Sequence, residues 1–242
     1  MSIPHASPVP VSVPVDGGDL PADLHLPPAG RGPGLVLFQE IFGVTPYVDA
    51  RARDLAVLGY AVLVPHVYWR QGDPVIGDGA DALPRALEAM QRVDWPAAVA
   101  DGVAAVAALR ARPEVAGPVG VVGFCFGGGL AFNVAAAGAD PDVLVSYYGS
   151  ALPTLLELAP RVTCPSLHHF GLADDYLPPD VVARIEAAVT AAGDTTVLTR
   201  PGARHAFDNP APMFHHAEAS RQAWAATADW LARTLPVTAP GG

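Results

Sequence analysis

Val119-Gly120-Val121-Val122-Gly123-Phe124-Cys125-Phe126-Gly127-Gly128-Gly129 decides how the rest of the chain is read. The apolar, β-branched run predicts a strand, and Leu130-Ala131-Phe132-Asn133-Val134-Ala135-Ala136-Ala137 predicts a helix. Between them stand a glycine, one nucleophile-type side chain and further glycines. This is the G-x-C-x-G form of a nucleophile elbow, with cysteine where serine more often stands. In such a strand-to-helix turn, side chains at Gly123 or Gly127 would collide with the neighbouring strand and helix. A helix N-terminus behind Cys125 favours negative charge, so it favours thiolate over thiol and helps to hold an oxyanion. The plain alternative is a buried cysteine beside a glycine-rich connection.

Outward from the elbow, strands and helices alternate. Residues 1–33 are rich in proline and glycine, and Val11–Val15 and Ala22–Leu26 alternate as in an edge hairpin interrupted by Asp16-Gly17-Gly18-Asp19. Residues 34–39 form a continuous apolar strand. A helix is expected over 47–58, a strand over 61–65, a loop over 66–80, and helices over about 81–93 and 96–111. Downstream of the elbow helix come strands at 143–148, 165–170 and 195–199, helices at 179–192 and 214–235, and a loose tail from Pro236. The expectation is one α/β domain over residues 1–242, a mostly parallel sheet covered by helices on both faces.

Composition limits what such a domain does. Of 242 residues, 51% are hydrophobic and 16% charged, which fits a packed core rather than a disordered chain. All 14 basic residues are arginine, and the net charge of -10 argues against nucleic acid or an anionic membrane as partner. Two cysteines make no disulfide framework, no signal peptide is apparent and no uncharged run is long enough to span a bilayer, so a soluble cytoplasmic protein is expected. The eight histidines show no ligand spacing, and neither metal nor cofactor is expected.

In parallel sheets, ligands bind beyond the carboxyl ends of the strands. Glu40 follows the strand ending at Gln39; His66, Tyr68 and Arg70 follow the next; Cys125 follows the elbow strand; Asp174 and Asp175 follow Phe170; His205 lies beyond Thr199. Nucleophile, acid and histidine therefore occur in the order of the α/β-hydrolase fold. His205 can generate the Cys125 thiolate and later protonate a leaving group, and Asp174 can hold the imidazole in the required tautomer. The backbone N–H of Phe126 supplies one oxyanion donor, and the loop at Ile41 is expected to supply the second. Each residue also has a plainer reading: His205 as a solvated loop histidine, Asp174 and Asp175 as turn residues, Glu40 as a surface acid. His168 and His169 are expected to pack in the core, His215 and His216 to belong to the closing helix, and Cys164 to be a buried structural thiol.

Gln39-Glu40-Ile41-Phe42-Gly43, Val67-Tyr68-Trp69-Arg70-Gln71, Gly123-Phe124-Cys125-Phe126-Gly127-Gly128, Tyr147-Tyr148-Gly149, Phe170-Gly171-Leu172-Ala173-Asp174 and His205-Ala206-Phe207 together resemble the dienelactone hydrolase family. The resemblance implies an α/β-hydrolase fold and cleavage of a small-molecule lactone or ester by a Cys-Asp-His triad, in a monomer or small homo-oligomer. It implies that Glu40 takes part in ionising the thiol, and it places the triad acid four residues before a proline, as Asp174 stands before Pro178. It also implies arginines that hold a substrate carboxylate. One of these is expected four residues after the histidine, where this chain has Asn209. The other is expected after Tyr68, where Arg85 is an uncertain match and Arg70 and Arg204 are further candidates. His66 replaces an aspartate usual before the tyrosine motif. Three readings follow: a dienelactone-type hydrolase, a generic carboxylesterase or thioesterase, and a binding or redox-sensing protein on the same fold.

Overall fold

A computed structural model describes residues 7–77 and 79–237. Most of the loose tail expected from Pro236, at 238–242, and the first six residues of the N-terminal stretch lie outside the described residues. Eight strands form one sheet: β1 (Val9–Val15), β2 (Gly18–His25), β3 (Gly32–Phe38), β4 (Ala61–Pro65), β5 (Val115–Phe124), β6 (Leu144–Tyr147), β7 (Ser166–Gly171) and β8 (Thr195–Arg200). Their order is β1-β2-β4-β3-β5-β6-β7-β8. β1 and β2 pair antiparallel, β2 pairs antiparallel with β4, and every pairing from β4 to β8 is parallel. The edge hairpin is tighter than its sequence suggests: Val15 pairs with Gly18, so only Asp16 and Gly17 make the turn.

Six helices accompany the sheet: α1 (Pro46–Val57), α2 (Ala82–Gln91), α3 (Trp95–Arg110), α4 (Phe126–Val134), α5 (Pro179–Ala192) and α6 (Ala217–Thr234). Thr45 caps α1 and Asp94 caps α3, each accepting a backbone N–H three residues on, with proline in the first turn. The closing helix begins later than expected, because the His216 side chain accepts from the Ala219 N–H as its cap; His215 lies outside it. Among the described residues no helix is long and apolar enough to cross a membrane.

The two faces of the sheet are legible from the side chains that leave it. Phe38, Gly123, Ser146 and His168 are register partners across neighbouring strands and point toward α3 and α4: a Cβ on Gly102 of α3 would meet Phe38, and one on Gly128 of α4 would meet Ser146. Phe124, Tyr147 and His169 point the other way, where Thr227 of α6 hydrogen-bonds both Tyr147 (2.7 Å) and His169 (2.9 Å). His168 and His169 are thus packing residues of opposite faces. Burial lowers His168 to about 4, and burial first, then the Arg200 charge, hold His169 well below the ordinary imidazole range.

A buried carboxylate ties the α1 and α6 side to the loop after β8. Asp208 accepts Arg51 Nε and Nη2, both at 2.7 Å, the Tyr47 hydroxyl at 2.6 Å and the Ser220 hydroxyl at 2.7 Å. Its side chain has no exposed surface. Arg51 also lies over the Trp224 ring at 4.6 Å. A carboxylate with this many donors is tolerated inside; one stripped of its cation is not. Arg51→Ala is therefore expected to destabilise the fold by about 3–5 kcal/mol in urea titration. Arg51→Lys, which keeps the charge but loses the planar fork, is expected to recover only part of that loss.

Candidate active site

At the carboxyl end of β5, Cys125 adopts φ 52° and ψ -114° and is immediately followed by α4. This backbone conformation is costly for a residue with a side chain and persists where surrounding packing enforces it. A Cβ at Gly123 would run into the Gly127 carbonyl, and one at Gly127 would strike the carbonyls of Phe38 and Gln39. The turn is sharp, so the thiol leaves the sheet plane and faces a cavity of about 440 Å³.

The structure brings Cys125, His205 and Asp174 together. The Cys125 Sγ lies 3.1 Å from His205 Nε2, and His205 Nδ1 lies 2.7 Å from Asp174 Oδ2. Asp174 Oδ1 accepts the Tyr176 and Leu177 amides at 2.8 and 3.1 Å, which fixes the carboxylate from the side away from the histidine. Neighbouring Asp175 is exposed and pairs with Arg204 at 2.6 Å. The edges of Tyr148 and Tyr176 pack on His205 with ring centroids 5.3 and 5.1 Å away. Burial disfavours the imidazolium, but the Cys125 sulfur and then the hydrogen bond to Asp174 outweigh it and raise His205 to about 10.

Ile41 and Phe126 line the same cavity. As the first residue of α4, Phe126 has an N–H with no intrahelical acceptor. The Ile41 loop is held from beneath by Tyr68, whose hydroxyl donates to the Ile41 carbonyl at 2.8 Å. Tyr68 is fully buried, with its ring 6.2 Å from that of Phe126, so it supports this loop rather than lining the cavity.

Glu40 also lines the cavity and is buried, not a surface acid. Its Oε2 accepts Asn209 Nδ2 at 2.7 Å, and its Oε1 has no hydrogen-bond partner. Burial pushes its carboxyl up to about 7, opposed by the Asn209 hydrogen bond and the His205 charge and aided by the Asp208 charge.

The expected arginine clamps are not at the site. Arg70 is engaged by Asp101 at 2.8 Å and the Asp16 carbonyl at 2.8 Å. Arg85 donates to the Val75 carbonyl at 2.6 Å and stands on the outer side of α2. The physical reason is helix phase: Leu83, Leu87 and Met90 form the stripe that lines the cavity, and Arg85 falls roughly 200° around from Leu83. Arg204 is exposed and spent on Asp175. Cys164 is only partly buried, and desolvation pushes its thiol up to about 11.

One neighbour, Ser150, carries no expectation from the sequence, and a second, Asn209, has a role there that the sequence does not show. Ser150 Oγ stands 3.8 Å from the Cys125 sulfur and follows Tyr147-Tyr148-Gly149 at the end of β6, where the strand-end rule would have found it. Asn209 is visible in sequence as a missing arginine, but its bond to Glu40 is a tertiary fact.

A strand-turn-helix elbow carrying Cys125 at the carboxyl edge of this mostly parallel sheet defines the class: an α/β-hydrolase-fold protein. Comparison with known proteins carries this further. Residues 20–235 match the dienelactone hydrolase family, and the chain belongs to that family. It is 36% identical over 223 residues to the carboxymethylenebutenolidase of Pseudomonas sp. (strain P51), covering 91% of this chain and 93% of that one. It is 36% identical over 172 residues to carboxymethylenebutenolidase 1 of Cupriavidus pinatubonensis, covering 70% and 73%. Among solved structures, a Klebsiella pneumoniae protein assigned as a dienelactone hydrolase superposes with TM-score 0.82 at 28% identity, covering 93% of this chain and 98% of that one. A dienelactone hydrolase-like promiscuous phosphotriesterase from metagenomic libraries gives 0.78 at 26%, covering 95% and 99%. The chain is a dienelactone hydrolase-like enzyme.

Two outcomes follow from the site's electrostatics. Iodoacetamide near neutral pH is expected to modify Cys125 well before Cys164 in peptide mapping, with the difference vanishing in denaturant. The second concerns Glu40, whose carboxyl is raised from 4.5 to about 7, so the fold favours its protonated form. Stability from this group is full below about 4.5, falls as pH rises through 7 and stays low above. Glu40→Gln is therefore expected to match the parent in stability near pH 4 and to exceed it by on the order of 3 kcal/mol at pH 8, measured by denaturant titration at each pH.

Proposed function

We propose that the chain hydrolyses carboxylic esters or lactones through a covalent acyl-enzyme on Cys125, with residues 20–235 acting as one catalytic unit. The observation that carries this reading is the continuous line Cys125 Sγ, His205, Asp174 at 3.1 and 2.7 Å, opening on one cavity. His205 accepts the thiol proton, and the thiolate attacks the carbonyl carbon. The tetrahedral oxyanion forms against the amides of Phe126 and Ile41. Collapse breaks the bond to the leaving oxygen, which takes the proton from His205. Water, deprotonated by His205, then attacks the thioester and restores the thiol.

Within this reading Glu40 is a second acid or base beside the nucleophile, a role the family resemblance implies. Its burial and its carboxyl near 7 keep both protonation states accessible close to neutral pH. Asp174 orients the imidazole and stabilises its cation. An activated ester or enol lactone suits the thiolate because its leaving oxygen is a better leaving group than the sulfur in the tetrahedral intermediate; an amide nitrogen is not.

Intact-mass analysis of the enzyme quenched during turnover of a para-nitrophenyl ester is expected to show one acyl adduct, mapped to Cys125 and absent from Cys125→Ala. Asp174→Asn is expected to lower kcat by up to about 10⁴, while Asp175→Asn stays within a few-fold of the parent. Full turnover in Cys125→Ala, or equal losses at Asp174 and Asp175, would overturn the reading.

A further inference from the structure

We infer that the substrate of this site is a neutral ester or lactone carrying an extended apolar arm, and that a second cavity beside the first receives that arm; the inference rests on the Cys125 hydrolase reading.

Charge is the first ground. Among the described residues, no arginine lines the cavity at Cys125; its ionisable groups are Glu40, Cys125, Tyr176 and His205. His205 is already shared between the Cys125 sulfur and Asp174. A carboxylate on the substrate would lose its water and meet Glu40 and the thiolate, while the His205 cation beside them is already committed to Cys125 and Asp174. Arg70, Arg85, Arg204 and Arg51 hold Asp101, the Val75 carbonyl, Asp175 and Asp208 respectively. Apart from Ser150 the remaining wall is apolar, with Trp95, Phe126, Val93 and the Leu83-Leu87-Met90 stripe.

Shape is the second ground. A larger cavity of about 920 Å³ adjoins the first, and Phe42, Leu83 and Phe214 line both. The rings of Phe42 and Phe214, 6.1 Å apart, belong to the loop after β3 and the segment before α6, so the partition is built of side chains alone. Val44, Val75, Ile76 and Met213 continue the apolar surface. Its described ionisable residues besides Tyr47 are His66 and Asp73, and His66 is held between Asp73 at 2.6 Å and Asp23 at 3.0 Å. This set offers no free cation either. Val75, Tyr176 and Met213, three of the exposed large apolar side chains, border the two cavities as a collar. Apolar surface at the mouth and between the compartments fits an occupant that crosses the partition, with the scissile carbonyl at Cys125 and a hydrocarbon or aryl arm beyond Phe42 and Phe214.

Matched substrates test both grounds. Para-nitrophenyl pentanoate and the para-nitrophenyl monoester of glutarate have nearly the same shape and differ by one terminal negative charge. The neutral ester is expected to exceed the anion in kcat/KM by about 100-fold at low salt, and Leu83→Arg is expected to narrow that ratio by about tenfold or more. In a straight-chain series, kcat/KM is expected to rise about tenfold or more from acetate to decanoate. Ala211→Trp, which narrows the second cavity, is expected to remove most of the decanoate-to-acetate advantage. Turnover that depends on Cys125 but favours the glutarate ester, or that falls steadily beyond acetate, overturns this inference and leaves the hydrolase reading standing. Turnover of these esters that survives Cys125→Ala overturns both.

Discussion

The backbone of β5 and the first turn of α4 approach each other with no room for a side chain between them. At Gly123 and Gly127 a single added carbon would meet the carbonyls of Gly127 and of Phe38 and Gln39. That contact forces the chain through the strained geometry at Cys125 and aims the sulfur out of the sheet. It also sets the first amide of α4 beside the sulfur and brings the end of β3, with Glu40 and Ile41 next in line, against the same turn. A bulkier residue at either glycine would displace Cys125, the Phe126 amide and Glu40 together.

Around this turn the protein treats two buried carboxylates differently. Asp208 has an arginine fork, a phenol and a serine hydroxyl and is fully satisfied. Glu40 has one bond from Asn209 and an oxygen without a partner. The first arrangement pairs a buried carboxylate with a cation, while the second leaves a carboxyl poised between its two forms. Residues 208 and 209 are adjacent, so one stretch of loop serves both purposes, and α1 anchors that loop through Tyr47 and Arg51.

The parallel strands, the elbow and the residues just past the strand ends were legible in the sequence, because burial on both faces writes continuous apolar runs and close backbone approach demands glycine. The order Cys125, Asp174, His205 was legible for the same reason, since each follows a strand. The wall of the cavity was not. Arg85 lies in the expected stretch of chain, yet the phase of α2 turns Leu83, Leu87 and Met90 inward and leaves it outside. Tyr68 belongs to a motif, but whether it touches substrate or props up Ile41 depends on the depth of its ring. Asp208 carries no signal in the sequence, because three of its four donors come from Tyr47 and Arg51 of α1, far away along the chain.

The separation of 80 positions between Cys125 and His205 bears on how the protein is made. β5 and α4 are complete well before β8 leaves the ribosome, and β8 is the edge strand at the opposite side of the sheet from β1. Until that last strand docks and the Asp208 loop is pinned to α1, the elbow cysteine has no imidazole beside it to take its proton. The contact between the Cys125 sulfur and the His205 imidazole is therefore made only with the last layer of tertiary structure, after most of the sheet is in place.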